Sequence, residues 1–122
     1  YSIVSQMIPD VKIMIVNAGI DGKNYDFVLK LVSDELKKYK EGTISNDLLE
    51  VAKATLINDL KETEDDPKSY ASYMFKNYLT GLNLTISDNI DKVDSITIED
   101  VKKIAQGIEL DTVFLLTNNW GN

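Results

Sequence analysis

Val11-Lys12-Ile13-Met14-Ile15-Val16-Asn17-Ala18-Gly19-Ile20-Asp21-Gly22-Lys23-Asn24-Tyr25 carries a strand, a break and a helix start in one run. On an extended chain Val11, Ile13 and Ile15 fall on one side and Lys12, Met14 and Val16 on the other. The alternation predicts a strand over 11–18, and apolar residues on both faces predict that it is central in its sheet. Gly19, Ile20, Asp21 and Gly22 break it. Asn24 is then a good helix N-cap. Tyr25, Val28, Val32, Leu36 and Tyr39 follow at helical spacing, and Gly42 stops the helix.

Upstream, residues 1–6 read as a short strand, and Ile8-Pro9-Asp10 supplies turn chemistry, so the two strands form a hairpin. Downstream, Ser45 caps a second helix with Leu49, Ala52, Leu56 and Leu60 as its buried stripe. The charged run 61–66 is its solvated end, and Asp66-Pro67 restarts the chain as N-cap and first helical residue. Tyr70, Tyr73, Met74 and Tyr78 lie along one side of that third helix, which Gly81 ends. Ser87 is expected to cap a short helix holding Ile90 and Val93. Thr97 with Asp100 makes a capping box for a last helix whose face is Val101, Ile104, Ala105 and Ile108. Residues 111–117 read as a closing strand, and 118–122 as a polar tail around Trp120.

The expected order is β-β-α-α-α-α-α-β. It describes an α+β fold, an antiparallel sheet with helices packed on one face. With 122 residues the chain is long enough for one domain, 1–122, and too short for two. Three strands leave sheet edges open. Because Tyr1 opens on a strand already in progress, the chain is expected to be part of a longer product that supplies further strands.

Composition removes whole classes of function. A hydrophobic share of 43% with 27% charged residues is that of an ordinary globular protein, which sets disorder aside. The net charge of -7 repels phosphate, so neither nucleic acid nor an anionic membrane surface is an expected partner. No stretch is apolar for long enough to span a bilayer. Every basic residue is a lysine, which excludes a bidentate guanidinium clamp. There is no cysteine, hence no disulfide, thiolate nucleophile or zinc-thiolate site, and a reducing, cytoplasmic location is expected. There is no histidine, so the commonest general base and metal ligand is missing.

The remaining candidates read as structure. Glu62, Glu64, Asp65 and Asp66 form the densest acidic run, but they lack the alternate oxygen ligands around a glycine that a calcium loop uses. A solvated helix end explains them. Asp88, Asp91, Asp94, Glu99 and Asp100 sit near helix starts, where negative charge complements the helix dipole. Tyr70, Tyr73 and Tyr78 either line a peptide groove or form a half-buried stripe with hydroxyls at its edge, and their spacing favours the second. Gly19 and Gly22 are turn residues without the spacing of a phosphate loop. The residues alone give an acidic α+β domain with no catalytic constellation.

The order of segments resembles the insulinase/pitrilysin family of inverted-motif zinc peptidases. The resemblance rests on Ala18-Gly19-Ile20-Asp21 after an apolar strand and Asn24-Tyr25 opening a helix. It continues through Ile44-Ser45-Asn46-Asp47-Leu48-Leu49-Glu50-Val51-Ala52-Lys53, then Asp65-Asp66-Pro67. Next comes the run from Leu82 to Ile90 into Val93-Asp94-Ser95-Ile96-Thr97-Ile98-Glu99-Asp100-Val101, and last Leu110-Asp111-Thr112-Val113-Phe114-Leu115-Leu116. It covers nearly the whole chain, and bacterial processing-type members are the most similar.

Such proteins build two related halves that close like a clamshell around a peptide. The resemblance implies that this chain is the later part of one half, the C-terminal one. The family's His-x-x-Glu-His motif holds zinc and activates water. Without histidine no catalytic or metal residue can be placed here, so no cofactor is expected in this chain and zinc is left to the parent or a partner. Tyr1 falls where the family's C-terminal half has a tyrosine that helps hold substrate, and a phenol aimed at a developing oxyanion suits that role. The implied partners are the remainder of the parent chain, a peptide substrate, and a peptidase-family partner subunit or a second copy joined through the exposed sheet edge. Two roles follow. One is a chamber wall that helps bind peptide while hydrolysis proceeds elsewhere. The other is a zinc-free, non-catalytic subunit that acts by assembly with an active paralogue.

Overall fold

A computed structural model describes residues 2–8 and 11–117. The chain falls into two compact units, one built from residues up to 36 and again from 110, the other from residues 37–109.

The first unit holds a two-stranded antiparallel ribbon, β1 (Ser2–Ile8) and β2 (Ile13–Gly19). The register runs from Ser2 opposite Gly19 to Ile8 opposite Ile13. β2 starts two residues later than the alternation implied. Lys12 takes a left-handed backbone, φ 54°, so it belongs to the turn. Ile3, Met7, Met14 and Val16 share one pleat face; Val4, Ile8, Ile13 and Ile15 share the other. No residue of either strand is buried. Both faces are therefore apolar and open, where an isolated hairpin is marginal in water.

Two sequence expectations fail in this unit. With two strands among the described residues, β2 has no second neighbour and is not central. Residues 111–117 form no strand. They keep the alternation of one, since Val113 and Leu115 are 41% and 42% exposed while Phe114 and Leu116 are 83% and 84% exposed. A strand also needs a neighbour to bond with, and no hydrogen bond to this backbone is found among the described residues. β-propensity alone does not supply one.

The break after β2 also differs from expectation. Asp21, not Asn24, does the capping: its carboxylate accepts from the Lys23 N–H at 3.3 Å and opens a 3-10 turn over Gly22–Asn24. Helix α1 (Tyr25–Glu41) follows directly. Its less exposed line contains the expected Tyr25, Val28, Val32, Leu36 and Tyr39. Gly42, at φ 72°, ends it in a Schellman turn, with Thr43 N–H on the Lys38 carbonyl at 2.9 Å and Gly42 N–H on that of Tyr39 at 3.1 Å.

The second unit is helical. α2 (Asn46–Asp65) is capped by Ser45, which accepts from Leu48 N–H at 3.2 Å. Asp66 closes α2 through its own N–H and opens α3 (Pro67–Thr80) by accepting from Ser69 N–H at 2.8 Å. One residue therefore joins two helices, and Pro67 sits where a missing N–H costs nothing. Gly81, φ 67°, ends α3 in a second Schellman turn through Leu82 N–H on the Asn77 carbonyl. α4 (Ile86–Asp94) and α5 (Ile98–Gln106) each start with a full capping box, Thr85 with Asp88 and Thr97 with Asp100. Ser87, expected as the cap of α4, lies inside its first turn.

α2 packs against α3 and α4. The buried positions are Ile86, Ala105 and Asn77. The inward line of α2 is Leu49, Lys53, Ile57 and Leu60 rather than Leu49, Ala52, Leu56 and Leu60. A lysine on the inner face turned the apolar reading by one residue. No helix among the described residues is long and apolar enough to cross a membrane.

Candidate functional site

Polar side chains concentrate where α3 turns into α4. Asn77 is in the last turn of α3 and only 8% exposed, an unusual setting for a residue that favours caps and turns. Its Nδ2 donates to the Leu84 carbonyl at 2.7 Å. One turn earlier, the Tyr73 hydroxyl donates to the Leu84 and Thr85 carbonyls, each at 3.1 Å. Asn89 of α4 donates its Nδ2 to the same hydroxyl oxygen. Two side chains thus bond the short connection 82–85, in which Asn83 takes a left-handed backbone at φ 47°, and Asn89 braces one of them. The cluster is a clasp for the helical hairpin. Its groups satisfy one another, and no buried side-chain nitrogen or oxygen lacks a partner among the described residues.

Two lysines make similar closures. Lys53, whose side chain is 12% exposed, donates to the Asp94 carbonyl at the end of α4 at 2.9 Å and to Glu50 at 3.0 Å. Lys40 donates to the Ile108 carbonyl just beyond α5, while the Gln106 amide returns a bond to the Lys40 carbonyl. A cation near a helix C-terminus meets carbonyls that have no partner within the helix.

The cap carboxylates are electrostatically distinct. Hydrogen bonds from the Ser69 side chain and backbone hold Asp66 below the usual carboxylate range. Thr85 does the same for Asp88, and Thr97 for Asp100, in each case through the hydroxyl first and the backbone N–H second. These acids are poised to stay ionised, the opposite of a general acid.

The residues singled out from sequence fare differently. Tyr1 lies outside the described residues. Tyr73 joins the clasp, Tyr70 is exposed, and Tyr78 is 77% exposed, so the three tyrosines are not brought together in one lining. Asp66 of the acidic run is committed to its cap. Among the described residues no three acidic, histidine or cysteine side chains converge to hold a metal. Sequence reasoning missed Asn77, Asn89, Lys53 and Lys40. Only Asn77 left a local trace, as an amide inside a helix four residues before its terminating glycine.

The helical hairpin, its capping grammar and the apolar ribbon are of the α+β class, and among the described residues the buried polar side chains are engaged in caps and helix closures. No family model matches the chain. It is 24% identical over 109 residues to the probable inactive metalloprotease YmfF of Bacillus subtilis (strain 168), a match covering 89% of this chain and 26% of that protein. A conserved protein from Enterococcus faecalis V583, known by crystal structure, superposes with a TM-score of 0.80 at 30% identity, over 85% of this chain and 25% of that one. The chain is thus a distant relative of a metalloprotease-like protein and spans about a quarter of the length of each protein it matches.

Proposed function

We propose that this chain is a non-catalytic part of an insulinase/pitrilysin-type, metallopeptidase-like protein that works by binding and assembly. It contributes chamber wall and peptide contact, and any hydrolysis is carried out by a zinc-bearing partner. The observation that carries this reading is the distant relationship to a protein described as a probable inactive metalloprotease. The donor set supports it: the chain offers no histidine or cysteine, and among the described residues the carboxylates do not converge, so these residues do not fit zinc.

The open apolar ribbon supports the assembly half of the reading. β1 and β2 contain no charged residue and no proline, the usual guards of a sheet edge. In this proposal the remainder of a longer protein adds strands to the ribbon, and the helices cover one face of the completed sheet. Tyr1 is proposed to help hold bound peptide, the role that its resemblance to the family's tyrosine implies. Weaker peptide binding by Tyr1→Phe supports that assignment, and unchanged binding removes it.

The test is peptide cleavage by the purified full-length protein against a broad fluorogenic peptide set, with and without added zinc. No cleavage is expected. Cleavage that chelation abolishes and zinc restores would return the chemistry to the protein itself.

A further inference from the structure

We draw no further inference here: the strongest candidate, the apolar outer face of α3 formed by Met74, Phe75, Tyr78 and Leu79, is exposed, and nothing in the structure shows what covers it.

Discussion

The ammonium of Lys53 stands 2.9 Å from the carbonyl oxygen of Asp94, so a charge on the inner line of α2 closes the C-terminus of α4. The pairing explains why a lysine tolerates that position. Its side chain is largely covered, and its head meets a carbonyl that has no partner within the helix.

Removing the head while keeping the stem isolates this bond. Lys53→Met is expected to lower unfolding stability by about 1.5–2 kcal/mol, the low end of the range for hydrogen bonds to charged groups. Glu50→Gln, at an exposed partner, is expected to change stability by less than about 0.5 kcal/mol. Urea denaturation of both variants checks this, and equal effects would place the stabilisation in the surface ion pair instead.

The clasp at Tyr73 makes a sharper contrast. Tyr73→Phe removes the hydroxyl bonded to Leu84, Thr85 and Asn89 and leaves the Asn89 amide without that acceptor. A loss of about 1–3 kcal/mol is expected, the cost of leaving such groups unsatisfied. Tyr78→Phe, on an exposed ring, is expected to be neutral within about 0.5 kcal/mol. Thermal melts of the two variants should therefore separate clearly.

Two glycines are needed for their backbone. Gly42 and Gly81 lie at φ 72° and 67°, and a Cβ at Gly42 would come within 3.0 Å of the Lys102 side chain. Alanine at either position is expected to cost about 1–2 kcal/mol through left-handed strain. Gly107→Ala, at φ -81°, carries no such strain. Equal melting temperatures for Gly42→Ala and Gly107→Ala would contradict this account of the α1 terminus.

Acid should weaken the fold through its caps. Hydrogen bonds from Ser69, Thr85 and Thr97 hold the carboxyls of Asp66, Asp88 and Asp100 below the usual carboxylate range. A depressed folded-state value means the contribution is fully present above the unfolded value and is lost as pH falls through the folded one. Stability should thus be flat near neutrality and fall in the acid limb below about pH 4. In Asp88→Asn that limb should flatten in a denaturation series across pH, and an unchanged limb would remove Asp88 from the linkage.

Local grammar was the most legible layer. Ser45, Asp66-Pro67, Thr97 with Asp100, Gly42 and Gly81 act within a turn of their own helix, so spacing alone located them. Thr85 was missed in favour of Ser87, although Thr85 and Asp88 stand at capping-box spacing while Ser87 has Ile90 three residues on. Asp21 took the capping role from Asn24 because its carboxylate reaches the N–H two residues later. What escaped was set by contacts distant in sequence. The inner face of α2 turns on a carbonyl 41 residues from Lys53, and the apolar run 111–117 needs a partner that no propensity specifies. The Tyr73 clasp was equally hidden, because its acceptors are main-chain carbonyls that sequence does not distinguish.

In the function proposed above, the protein carrying this chain acts without catalytic zinc. Zinc content of the full-length protein, purified under metal-replete conditions and measured by elemental analysis, tests it most directly. Substoichiometric zinc is expected, close to none per chain. Zinc near one per chain would contradict it and make this chain the substrate-side wall of an active peptidase.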